Sequence, residues 1–196
     1  EYYTAKSLKY ELDATHEPSK ENSMLAAWVA RLMKITPDMI KAALRCATLP
    51  PGRWEKIQFK HDVLVINDSY NANLTSVMTA LEAFQEQPGK RKVFIFGEMY
   101  ELGDLSECHH QMIGQALNIE PVDKFIAIGE LAKHTYALIP PAMPSRYIEK
   151  WSDDLPDQIA ALLEPGDTVL LKASRGMRLE RLIPAIERRF GPPEGE

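Results

Sequence analysis

A run of apolar residues, VLVI at 63–66, stops abruptly on Asn67, Asp68, Ser69, Tyr70, Asn71 and Asn73. Amides, a carboxylate and a hydroxyl at the end of an apolar run could form the rim of a ligand site. They also suit a solvated turn whose Asp68 or Asn73 caps the next helix. One cap needs one residue, and this turn offers six, so a ligand rim stays open beside the capping role. A second cluster, KASRGMR at 172–178, ends another apolar run. Arg175 there could clamp a carboxylate or phosphate through two parallel hydrogen bonds. Cations opening a helix oppose its macrodipole, which makes a purely structural role for this cluster awkward. Two further run ends, GEMYELG at 97–103 and GELA at 129–132, carry Glu98, Glu101 and Gly129. The carboxylates are read equally as site groups or solvated charges, and Gly129 mainly as a strand exit.

The elements that must position these residues alternate along the chain. VLVIN (63–67), KVFIFG (92–97), KFIAIG (124–129), SRYIEK (145–150) and TVLLKAS (168–174) are short apolar runs. Amphipathic stretches follow near 74–87, 105–118, 130–138, 154–163 and 177–189. Strands without in/out alternation are buried on both faces, the signature of a parallel sheet covered by helices. The expected fold class is α/β, a Rossmann-like, doubly wound, mostly parallel sheet from about residue 54 onward. In such sheets ligands sit outside the carboxyl ends of the strands, where all four polar clusters fall.

LPPGR at 49–53 separates this region from a different one. Residues 21–47 read as two helices joined by a short turn, and residues 4–12 as a weak strand. This first segment has too little apolar surface to fold alone and reads as the end of a preceding domain. A charged start without methionine reads as a cut within a longer chain.

The 196 residues carry a net charge of −5 with a pI near 5.6, which argues against nucleic-acid binding. No run of eighteen apolar residues is present, so no membrane-spanning helix is expected. Cys46 and Cys108 read as reduced thiols of a cytoplasmic protein. Cys108, His109 and His110 are adjacent and lack metal-ligand spacing. No G-x-x-x-x-G-K-[ST] motif and no G-x-G-x-x-G motif occurs, so any nucleotide phosphate cradle lies outside this chain.

LPPGRWE, NDSYNAN, GEMYELG and LKASRGMRLE occur in that order, and with them nearly the whole chain resembles the Mur ligase family of peptidoglycan synthesis. Within it the similarity is to the branch that joins D-alanyl-D-alanine to UDP-N-acetylmuramoyl-tripeptide with ATP and Mg2+. The resemblance implies a three-domain bacterial cytoplasmic enzyme. Residues 1–52 would be the end of its central ATP-binding domain and 53–196 its C-terminal Rossmann-like domain. The P-loop and most Mg2+ ligands would lie in missing upstream domains, so this chain alone is expected to be inactive and to supply no catalytic or metal residue. By the resemblance Asn22, Arg53, Asp68 and Asn71 are ATP-binding, Asp68 through the ribose and Asn22 through the adenine edge. Lys172, Ser174 and Arg175 would face the D-alanyl-D-alanine carboxylate.

The sequence departs from the family pattern at four points. Asn67 stands where an aspartate is usual, Leu74 replaces a proline, Ala173 replaces a glycine, and no His-Asn pair precedes Asn22. The alternatives are another Mur or folylpolyglutamate-synthase-like ligase, a catalytically dead interaction module, or a dinucleotide-binding oxidoreductase domain.

Overall fold

The computed structural model describes residues 20–47 and 50–193, so the expected strand at 4–12 lies outside the described residues. The chain divides into two compact units, Glu1–Leu49 and Pro50–Glu196.

In the first unit, α1 (Lys20–Leu32) and α2 (Pro37–Cys46) match the expected helix pair. Thr36 caps α2 by accepting from the Met39 N–H, and Pro37 fills the first turn, where its missing N–H costs nothing. Ala27 and Ile40 are buried.

The second unit is built on one six-stranded sheet. The strands are β1 (Glu55–Phe59), β2 (Val63–Asp68), β3 (Arg91–Phe96), β4 (Lys124–Ile128), β5 (Ser145–Ile148) and β6 (Asp167–Lys172). Their spatial order is β1-β2-β6-β3-β4-β5, with every pair parallel except β1 with β2. Five strands coincide with the apolar runs of the sequence. β1 is an addition that the sequence reading missed. EKIQF is an edge strand with one half-buried face, so it shows no continuous apolar run. Its hairpin closes through left-handed His61 and Asp62 rather than an Asn-Gly or Asp-Gly pair.

Residues alternate between two cores across the sheet. Ile66, Phe94, Phe96, Phe125, Ala127 and Leu170 face one side. Helices α3 (Leu74–Gln85) and α4 (Ser106–Ala116) cover that side. Val65, Val93, Ile95, Ile126, Val169 and Leu171 face the other, beneath α6 (Leu155–Ala161) and α7 (Ile183–Phe190). Aromatics concentrate on the first side, where Phe94 lies 5.6 Å from both Phe96 and Phe125 between ring centroids. Both faces are buried, as the unalternating strands require.

Two helices are shorter than expected. α5 spans only Lys133–Tyr136, and α7 begins at Ile183 rather than near 177. Arg178 is left-handed (φ 52°) and interrupts the helical path after a 3-10 turn at Arg175–Met177. Arg175 therefore opens no α-helix, and the expected conflict with a helix dipole does not arise. Among the described residues, no helix is long and apolar enough to cross a membrane.

Candidate functional site at the carboxyl edge of the sheet

The chain leaves β2 and β3 toward one face of the sheet and leaves β6, which lies between them, toward the other. Loops departing in opposite directions open a crevice at the carboxyl ends of these strands, the switch point where α/β sheets bind ligands. The residues there are Asp68 after β2, Lys172 to Arg175 after β6, and Glu98 to Tyr100 after β3.

Asp68 is fixed from two sides. Its Oδ1 accepts from the Trp54 N–H at 3.1 Å, and the Lys172 Nζ lies 2.9 Å from Oδ2. The Lys172 side chain is 2% exposed and that of Asp68 is 16% exposed, so the carboxylate alone reaches the surface. Burial pushes the Asp68 carboxyl above its ordinary value even though the Lys172 ammonium beside it pulls it down. Burial also lowers Lys172, against the pull of Asp68. Lys172 further donates to the Asn71 carbonyl at 2.7 Å, holding the loop after β2 to the end of β6.

Asn71 is exposed, and its Oδ1 accepts from the Ala72 N–H at 2.9 Å. Asn73 caps α3 in a reciprocal arrangement: its Oδ1 accepts from the Ser76 N–H at 2.8 Å and Ser76 Oγ accepts from the Asn73 N–H at 3.0 Å. Of the two roles open to the polar cluster, Asn73 takes the cap and Asp68 does not.

The Asn67 departure has a local physical reason. Asn67 Nδ2 donates to Glu55 Oε2 at 2.9 Å, and its Oδ1 accepts from Ser69 Oγ at 2.6 Å. An aspartate here would set a buried carboxylate against the half-buried carboxylate of Glu55. Gly52 N–H donates to the same Glu55 oxygen at 2.9 Å, so the segment before β1 is tied into the network. Beside it, the Arg53 guanidinium lies 4.2 Å from the Tyr70 ring centroid, a cation–π contact at the rim of the crevice.

The three residues expected to clamp a carboxylate separate by exposure. Lys172 and Ser174 are buried at 2% and 4%, while the Arg175 side chain is 60% exposed. Ser174 Oγ accepts from the Tyr100 N–H at 2.8 Å and stitches the ends of β6 and β3 together. Arg175 Nη1 lies 2.8 Å from Glu180 Oε1. Ala173 is fully buried, and a Cβ on Gly97 would come within 2.7 Å of its Cβ, so this glycine allows β3 and β6 to exit side by side. Asn22 is exposed on α1, in the other unit.

The sequence allows Glu98 to be a site group or a solvated charge, and the structure buries it to 8% exposure. Its Oε1 accepts from the Leu131 N–H at 2.6 Å. Gly129 has φ +113°, and a Cβ there would sit 2.4 Å from Glu98 Cγ, so the glycine leaves room for the carboxylate besides ending β4. No sequence signal separates this glutamate from a solvated one; its burial follows from neighbouring strands. His110 is a structural residue: its Nε2 accepts from the Met99 N–H at 3.0 Å and its Nδ1 lies 2.7 Å from the Ser106 carbonyl. Among the described residues, no group of three or more His, Cys, Asp or Glu is placed to hold a metal ion.

Comparison with known proteins places this geometry. Residues 52–175 match the family model described as Mur ligase, glutamate ligase domain. The UDP-N-acetylmuramoyl-tripeptide–D-alanyl-D-alanine ligase of Escherichia coli K12 is 32% identical over 85% of this chain and 36% of its own length. The crystal structure of the MurF ligase of Thermotoga maritima in complex with ADP is 30% identical, with a TM-score of 0.70 over 86% of this chain and 38% of that one. A MurF structure from Acinetobacter baumannii superposes with a TM-score of 0.74 at 28% identity, covering 86% of this chain and 37% of that one. The chain thus spans about a third of the length of the curated relatives it matches.

Proposed function

This chain belongs to the Mur ligase family, and on that premise we propose that it forms the C-terminal part of an ATP-dependent ligase adding D-alanyl-D-alanine to UDP-N-acetylmuramoyl-tripeptide. In this reading residues 1–52 are the end of a central ATP-binding domain and residues 53–196 the C-terminal Rossmann-like domain. The enzyme works in the bacterial cytoplasm.

The observation that carries the reading is the Asp68 carboxylate, held at a strand end by Lys172 and the Trp54 N–H while one edge remains exposed. A fixed carboxylate offers two acceptor oxygens to a pair of vicinal hydroxyls, as on a ribose. Arg53 lies on the same rim and supplies positive charge toward a polyphosphate, and Asn71 adds an exposed amide. Asn22, on α1, takes the adenine edge. Arg175 binds the carboxylate of the incoming dipeptide, with Lys172 and Ser174 holding the loop behind it.

The chemistry is activation of a substrate carboxylate by ATP followed by amine attack. Mg2+ would neutralise phosphate charge, with most of its ligands in the central domain upstream. This chain's residues orient the nucleotide and seat the amine substrate, so their contribution is positioning and electrostatics.

The test uses the enzyme with its upstream domains. Asp68→Ala is expected to raise the KM for ATP about ten-fold or more, the scale of a charged hydrogen bond. It should also abolish the preference for ATP over 2′,3′-dideoxy-ATP. An unchanged preference would refute the ribose role. The 196-residue chain alone is expected to ligate nothing, and measurable ligation by it would overturn the division of labour.

A further inference from the structure

We infer that Glu98 and Arg175 are the two ends of a cradle for a zwitterionic substrate, with Glu98 taking its ammonium group. This rests on the ligase reading and adds to it the group that recognises the amine.

Glu98 is a buried carboxylate with no cationic partner among the described residues. Among the described residues no Lys, Arg or His lies within ion-pair distance of it. Its Oε1 accepts from the Leu131 N–H at 2.6 Å and the Tyr100 phenol lies beside the carboxylate, so among the described residues its polar neighbours are neutral donors and none supplies a positive charge. A buried, uncompensated carboxylate costs stability unless something supplies the opposite charge. The fold nevertheless makes space for it: Gly129 adopts φ +113° and leaves out the Cβ that would strike the Glu98 side chain.

The surroundings join Glu98 to the cationic end. Ser174 N–H donates to the Glu98 carbonyl at 2.9 Å, and Tyr100 N–H to Ser174 Oγ at 2.8 Å. The Tyr100 ring lies over Gly176, where a Cβ would approach it to 2.7 Å, and its hydroxyl donates to Met177 Sδ at 2.9 Å. Burial and the nearby Glu98 carboxylate push the Tyr100 phenol up to about 12, so it stays a neutral donor. Arg175, the residue before Gly176, is 60% exposed and paired only with Glu180 among the described residues.

The backbone pairing ends with Phe96 beside Lys172, so Glu98 and Arg175 leave from adjacent strands. Both therefore lie at the same carboxyl edge of the sheet, the carboxylate buried and the guanidinium exposed. An anion and a cation so placed, across an aromatic and a thioether, match an amino acid or dipeptide better than a nucleotide.

The test is kinetic, on the enzyme with its upstream domains. Ligation of D-alanyl-D-alanine by the wild type is the control: if no product forms, the ligase reading itself fails. With that activity present, Glu98→Gln is expected to raise the KM for the dipeptide ten-fold or more and leave the KM for ATP within about two-fold, the loss of a charged hydrogen bond. Inhibition by an analogue carrying a hydroxyl in place of the amino group should be unchanged by Glu98→Gln and weakened by Arg175→Met. A dipeptide KM unchanged by Glu98→Gln, or an equal loss for dipeptide and analogue, overturns the inference. Should Glu98→Gln not fold, the same ratio is read for Glu98→Asp, which keeps the charge and shortens its reach; equal effects on both ligands would again overturn it.

Discussion

Lys172 and Asp68 form an ion pair of 2.9 Å in which the lysine is 2% exposed and the aspartate 16% exposed. The pair joins the two strands that flank the crevice, since Asp68 and Lys172 are also register partners of β2 and β6. Burial works against both charges, and the pair persists because each supplies the other's counter-charge. One member is sealed while the other faces outward, so Lys172 acts as the positioning residue of Asp68.

Lys172→Met is therefore expected to cost about 3 kcal/mol of stability, the low end for breaking a buried pair because Asp68 keeps some solvent. Adding Asp68→Asn should recover part of the loss, since the orphaned charge is then gone. Urea unfolding of the single and double variants checks both; additive losses would argue against the pair.

Gly129→Ala is expected to cost about 2–4 kcal/mol, from the strain of φ +113° and the clash with Glu98. Gly103→Ala provides the contrast. Gly103 also has positive φ (+53°) but meets nothing within 4 Å, so only the left-handed penalty of about 1 kcal/mol applies. Comparable midpoint shifts for the two would show that Glu98 does not need the space.

Asn73→Ala should destabilise the second unit by about 1 kcal/mol through loss of the α3 cap. Because the capping role is separate from the ligand role given to Asp68, the KM for ATP should not change. Thermal unfolding and steady-state kinetics on the same preparation distinguish the two.

Stability should fall as pH drops below about 6.5, with His110 as a contributor. Burial lowers its folded pKa, outweighing the Ser106 carbonyl and the Glu98 carboxylate, with His134 and His109 adding to the lowering. The native imidazole stays neutral while the unfolded one takes a proton, so the unfolded state binds more protons and gains as pH falls. The cost is at most about 1.4 kcal/mol per pH unit in that window. Protonation would also set a donor on Nε2 against the Met99 N–H. The drop in melting temperature between pH 7.5 and 5.5 should be smaller in His110→Gln; an equal drop would remove His110 as its source.

Much of this was legible before the structure. The unalternating runs fixed five strands and a parallel sheet, because a strand covered on both faces has no position to spare for a polar residue. The polar clusters at their ends pointed to the carboxyl edge as the candidate ligand edge, because such sheets bind ligands outside the carboxyl ends of their strands. β1 escaped because an edge strand with one half-buried face carries a weak pattern. The shortened α7 escaped because left-handed Arg178 and the 3-10 turns before Ile183 leave no mark in composition.

The residues at the site divide along the same line. Sequence by itself determined that a carboxylate and amides end β2 and that cations end β6, since residue type and chain order suffice for that. Only the tertiary structure decided that Lys172 faces inward onto Asp68, that Arg175 faces outward, and that Glu98 is buried with Gly129 against it. Those outcomes depend on which strands become neighbours. β6 inserts between β2 and β3 across more than seventy residues of chain, and no local pattern records that contact.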